Sequence, residues 1–150
     1  MDKRLAIAWL IVASIVYACS PRSHASERRA PRTSEQPMSH GIDARVDVTT
    51  QPTVTFVLEL TNRTGKLTEL QFPSAQTHDF AVLNAKGDTV WRWSRERMFT
   101  QVMRTEALAK NAQLTFTEQW KDAAPGAYTL VATTTSLSHP VSEQIGFTVR

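Results

Sequence analysis

The strongest constraint in the chain is a strict alternation. In Val54-Thr55-Phe56-Val57-Leu58-Glu59-Leu60-Thr61, the residues Val54, Phe56, Leu58 and Leu60 fall on one face of an extended chain. Successive side chains of a strand point to opposite sides, so period two predicts a strand with one buried face. Such a face needs a second layer to cover it. Ala44–Val48 alternates in the same way, and Leu67–Phe72, Asp79–Leu83, the stretch around Trp91, Ala112–Trp120, Tyr128–Thr135 and Gln144–Val149 supply further extended runs. In Ala112–Trp120 a local bulge is expected to set the facing of Glu118 and Trp120. About eight short strands separated by turn residues predict an all-β, antiparallel β-sandwich. Asn62-Arg63-Thr64-Gly65 matches a glycosylation sequon but is read as turn chemistry, because Asn and Gly tolerate positive φ. Ser94–Met103 is read as a turn followed by a strand.

The N-terminus has a different character. Met1-Asp2-Lys3-Arg4 precedes thirteen uncharged residues, Leu5 to Tyr17, which fits a secretory signal segment and is short for a membrane span of about 20 residues. Val16-Tyr17-Ala18-Cys19-Ser20 resembles a bacterial lipobox, in which a small residue precedes an acylated cysteine. Cys19 is the single cysteine of the chain, so no intramolecular disulfide competes for it. The expected organisation is a lipoprotein signal peptide at 1–18, a lipidated Cys19 with a flexible tether over 19–42, and a folded domain at 43–150. The expected location is the bacterial cell envelope, anchored to a membrane by lipid, and the outer membrane in a diderm host, since Ser20 is not the aspartate associated with inner-membrane retention. Ser20–Gly41 holds five serines, three prolines, four arginines and no Phe, Tyr or Trp, a composition that buries too little apolar surface to offset its ordering entropy. Residues 43–150 hold eleven Lys/Arg and eleven Asp/Glu. A neutral domain lacks the clustered cations that phosphate backbones require, so no nucleic acid is expected as partner.

Phe72–Gln101 is the densest stretch, a strand, a turn and a strand that together hold Trp91 and Trp93. On a strand these two indoles share one face while Val90, Arg92 and Ser94 take the other. Burying one Trp is worth up to about 6 kcal/mol, so the indole face is expected to be core. Ser74, His78 and Asp79 are the residue types of a hydrolytic triad, but His78 and Asp79 are adjacent and no Gly-x-Ser-x-Gly elbow surrounds Ser74. No catalytic residue is therefore assigned. His24, His40, His78 and His139 are scattered without ligand spacing, and neither a metal nor a cofactor nor a small-molecule substrate is expected. Gln76 and Asp79 are expected to stiffen the loop between them by satisfying its backbone groups.

VTFVLELTN at Val54–Asn62, then Leu70-Gln71-Phe72-Pro73-Ser74-Ala75-Gln76, Asp79-Phe80, Gly87, Trp91-Arg92-Trp93-Ser94, Phe99-Thr100-Gln101 and Trp120, resemble the BsuPI-type intracellular proteinase inhibitor domain over roughly residues 45–135. The resemblance implies an immunoglobulin-like sandwich and a protein partner, a serine proteinase, bound by a non-enzymatic domain. The contact surface is assigned to Pro73, Ser74, Ala75, Gln76, Thr77 and His78, with Arg92 and Ser94 beside it. Phe72, Asp79, Phe80, Trp91, Trp93, Phe99, Gln101 and Trp120 are assigned to the structural motif. Ala75 stands where the family commonly has glycine, which would strain a positive φ, and Lys110-Asn111-Ala112-Gln113 replaces the family's Pro-Gly-Glu turn. An envelope location also departs from the family's cytosolic target. The alternative is a structural or assembly module of the envelope with no inhibitory activity.

Overall fold

The structure, a computed structural model, describes residues 41–150. The signal and lipidation readings, and the tether up to residue 40, lie outside the described residues; at its end the 19–42 tether runs too far, because Ile42 opens the first strand and is buried in the core. Nine strands follow one another: β1 (Ile42–Thr49), β2 (Val54–Asn62), β3 (Thr68–Phe72), β4 (His78–Leu83), β5 (Thr89–Arg92), β6 (Arg104–Leu108), β7 (Gln113–Trp120), β8 (Gly126–Thr134) and β9 (Ser142–Val149). They form antiparallel sheets of order β1-β2-β7, β3-β6 and β5-β4-β8-β9. The expected sandwich is present, with one strand more than the alternation showed.

The two larger sheets meet through the face of β2 that carries Val54, Phe56, Leu58 and Leu60. Phe56 of β2 lies 5.9 Å from Phe80 of β4, 5.5 Å from Trp91 of β5 and 5.7 Å from Phe147 of β9, ring centroid to centroid. Phe56, Leu58, Leu60, Leu70, Phe72, Phe80, Val82 and Leu130 are fully buried. Each contributes about 1.5–3 kcal/mol of burial relative to exposure. Leu70, Phe72 and Leu108 bring the β3-β6 ladder into the same core.

The added strand is β6. The expected strand within Ser94–Met103 is displaced: residues 93–96 turn, 97–103 run outside any sheet, and pairing begins at Arg104. β6 alternates weakly, with Leu108 its one buried residue, so its position is set by the edge of β3 and not by its own apolar pattern. Nor is there a bulge in β7. Its register with β2 is unbroken from Gln113↔Thr61 to Trp120↔Val54, so Leu114, Phe116, Glu118 and Trp120 all face the same way. The turns behave as the sequence predicts: Gly65 and Gly87 adopt φ of +83° and +87°, and Asn111 takes φ 59° in the replaced turn. Ala75 is outside the left-handed region and carries no strain there.

Candidate functional site

The β3-β6 ladder fixes where the site lies. Its last rung is Phe72↔Arg104, so the loop that leaves β3 at Pro73 and the segment that enters β6 from Met103 emerge side by side. Their backbones are joined, because the Ala75 N–H donates to the Thr100 carbonyl at 2.9 Å. Two loops that are 25 positions apart in sequence thereby form one surface.

The Pro73–His78 loop is tied down by hydrogen bonds, and two of its six residues face inward. Ser74 is buried and its Oγ accepts from the Gln76 N–H at 3.2 Å, closing a tight turn. Gln76 Nε2 donates to the His78 carbonyl at 3.3 Å, the Thr135 hydroxyl donates to the Gln76 carbonyl, and the Thr135 N–H donates to the Thr77 carbonyl at 3.1 Å. Gln76 is thus the organiser it was expected to be. Pro73 and Ala75 are exposed, Gln76 and Thr77 are half-buried, and His78 is only 7% exposed. The structure therefore places the His78 and Ser74 side chains inside the domain and leaves Pro73, Ala75, Gln76 and Thr77 on the surface.

Asp79 organises a different element from the one expected. It is 4% exposed, and its carboxylate accepts from Arg92 Nε at 2.6 Å, from the Ser94 N–H at 3.2 Å and from the Ser94 hydroxyl at 2.8 Å. It thus clamps the turn after β5 and not the loop before β4. Arg92 and Ser94 are committed to this clamp, although the Arg92 side chain stays half exposed. The Ser74, His78 and Asp79 side chains accordingly have three separate sets of partners.

Behind the turn stands a stack of flat groups. Phe116 lies 4.4 Å from His78, His78 lies 4.3 Å from Trp93, and the Arg97 guanidinium sits 4.5 Å from the Trp93 ring. The guanidinium is attracted by the electron-rich Trp93 face, and the stacked rings gain dispersion and burial. Glu118 spans the stack, with Oε1 3.3 Å from His78 Nε2 and Oε2 3.9 Å from Arg97 Nη2. The carboxylate can only accept, so Nε2 carries the imidazole proton and Nδ1 accepts from the Thr77 hydroxyl at 3.1 Å. Burial pushes the His78 pKa below its ordinary value; the Glu118 hydrogen bond and the Glu118 and Asp79 charges oppose this, and Arg97 reinforces it. Sequence reading missed Glu118 because it allowed for a bulge; taken without one, the alternation through Phe116 and Trp120 turns Glu118 inward.

Trp91 and Trp93 both pack against the core, as expected, and Val90 and Arg92 are exposed. Trp93 lies beyond the end of β5, yet its backbone N–H still donates to the Phe80 carbonyl at 2.9 Å. Trp91 stacks 6.2 Å from Trp120, and Phe99 rests 5.5 Å from Trp93. Gln101 is exposed and donates from Nε2 to the Phe99 carbonyl at 3.2 Å, a local bond within the segment. Met98, Val102 and Met103 are open to solvent, with Met98 wholly exposed at 101%. Among the described residues no group of His, Cys, Asp and Glu is placed to hold a metal ion.

No curated protein matches the chain. An X-ray structure of a Northeast Structural Genomics Consortium target is similar over 76% of this chain and 86% of its own, at 14% identity and a TM-score of 0.34. Residues 42–139 match the family described as BsuPI, intracellular proteinase inhibitor. That span holds both loops, the Asp79 clamp and the ring stack, and the chain belongs to the BsuPI proteinase inhibitor family.

Proposed function

We propose that this chain is a membrane-anchored, non-enzymatic protein that inhibits a serine proteinase through the paired loops at the Phe72↔Arg104 end of the β3-β6 ladder. Family membership supports the inhibitor class. The observation that carries the reading is the Ala75–Thr100 backbone bond, which locks two exposed loops into one surface. The Asp79 clamp and the ring stack hold that surface from beneath. An inhibitor gains affinity when its contact loops are already ordered, because less freedom is lost on binding. The lipid anchor at Cys19 and the envelope location complete the proposal, and they place the target proteinase on the same side of the membrane as the domain.

Titration of the full chain against subtilisin-like and trypsin-like serine proteinases tests this function. The expected result is stoichiometric loss of proteolytic activity. Absence of inhibition at micromolar concentration against the whole panel overturns it.

A further inference from the structure

We infer that Met98 is the side chain this surface presents to its proteinase, and that the proteinase is one whose specificity pocket takes a large apolar residue. The inference rests on the inhibitor reading above. Of the six exposed large apolar residues among the described ones, Met98, Val102 and Met103 fall within six consecutive positions, and Met98 alone is fully out of the protein surface at 101% exposure against 63% and 65%. Single exposed apolar residues are ordinary. Three of them on one anchored segment beside a second loop make that segment the candidate for an apolar contact.

The anchoring is tight on both sides of Met98. On the N-terminal side, Arg97 N–H donates to the Ser94 carbonyl at 3.2 Å, Arg97 Nε donates to the Trp93 carbonyl at 3.2 Å, and the guanidinium lies over the Trp93 ring. On the C-terminal side, Phe99 packs on Trp93 and the Thr100 carbonyl holds Ala75. Met98 is therefore pinned at the positions before and after it while its own side chain touches solvent. Residues 97–103 also run outside any sheet, a state from which a backbone can pair with an extended edge of another protein.

The neighbouring residues are excluded as the presented side chain. Arg97 is engaged by Trp93 and Glu118, which removes it as a ligand for a trypsin-like pocket. Arg95 lies within the 93–96 turn, before the segment that runs outside the sheets, so it is not carried on that segment. Phe99 is half-buried on the domain itself. An unbranched, flexible thioether suits an apolar pocket of imperfectly matched shape.

The test compares the full chain with its Met98→Gly and Met98→Arg variants against chymotrypsin, subtilisin and trypsin, following inhibition constants and, by mass spectrometry, any cleavage of the chain. Met98 makes no contact that folding needs, and unchanged thermal midpoints verify that each variant is folded. The expected result is inhibition of chymotrypsin or subtilisin, weakened about tenfold or more in Met98→Gly. Inhibition should move towards trypsin in Met98→Arg, because the trypsin pocket ends in a carboxylate. If the unchanged chain inhibits and Met98→Gly inhibits equally well, the role of Met98 is overturned and the inhibitor reading stands. Cleavage after Met98 without inhibition overturns it as well, since the segment is then a substrate. If the unchanged chain inhibits none of the three, this inference fails together with the function it rests on.

Discussion

His78 shows how a residue that looks like a site can be part of a support. Its ring is held between Phe116 and Trp93, and its two nitrogens are spent on Glu118 and Thr77. Burial, the dominant influence, lowers its pKa from the ordinary value of about 6.5. In the unfolded chain the imidazole takes up a proton as pH falls through about 6.5, while in the folded protein it does so only at lower pH. The unfolded state then binds more protons in that window, so stability is fully present above about pH 6.5 and falls as pH drops below it, by at most about 1.4 kcal/mol per unit. Glu143, raised by burial and by Asp43, acts in the opposite sense nearer to pH 4.5. The thermal midpoint should therefore drop between pH 7.5 and 5.5. His78→Phe keeps a ring in the stack and removes the titration, so its midpoint should be flatter over this range. An equal slope in both proteins would assign the pH dependence elsewhere.

At the scale of elements, one side chain joins two strands and a turn. Asn62 ends β2 fully buried, and its Nδ2 donates to the carbonyls of Lys66 at 2.7 Å, Leu108 at 2.8 Å and Ala109 at 3.1 Å. Its Oδ1 accepts from the Thr64 N–H at 2.9 Å and the Thr64 hydroxyl at 2.7 Å. The sequon at Asn62 is thus turn chemistry, and it also binds the end of β6 to the end of β2. Asn62→Ala strands the buried Leu108 carbonyl, at about 1–3 kcal/mol, and loses the part-buried bonds to Lys66 and Ala109, so a loss of about 2–3 kcal/mol is expected in urea unfolding. A loss below about 1 kcal/mol would mean the turn holds without it. This residue also marks the boundary of what was legible. Alternation in β1, β2, β7 and β9 revealed those strands, because each packs one face against a layer the chain itself supplies. β6 was not legible, since its place depends on backbone groups of β3 and on Asn62, neither of which leaves an apolar period. In the candidate site, the rigid loop at Pro73–Thr77 could be read from Gln76. Its partner segment could not, because a bond from Ala75 to Thr100 involves only backbone atoms and has no side-chain signature.

For the molecule as a whole, the fold separates the end that receives the N-terminal segment from the end that carries the loops. Ile42 opens β1 opposite Asn62, and the Gly41 carbonyl accepts from the Arg63 N–H at 2.7 Å. Asn62 is bonded to Leu108, which pairs with Thr68 at one end of the β3-β6 ladder, whereas Phe72↔Arg104 and the two loops lie at the other. Four residue steps at about 3.3 Å put those ends about 13 Å apart. A chain held at a membrane through residues before Gly41 would enter the described domain at the end of the ladder away from Phe72↔Arg104. Acylation of Cys19 is the chemistry that would hold it there, and two or more acyl chains give stable attachment because each buried methylene contributes about 0.8 kcal/mol. The intact mass of protein extracted from membranes is expected to correspond to a chain beginning at Cys19 with added acyl groups. An unmodified chain, cut after Ala18 or Ala25 and recovered outside the membrane fraction, would remove the anchor and leave the loop surface as it is, since every bond that builds that surface lies within residues 71–135.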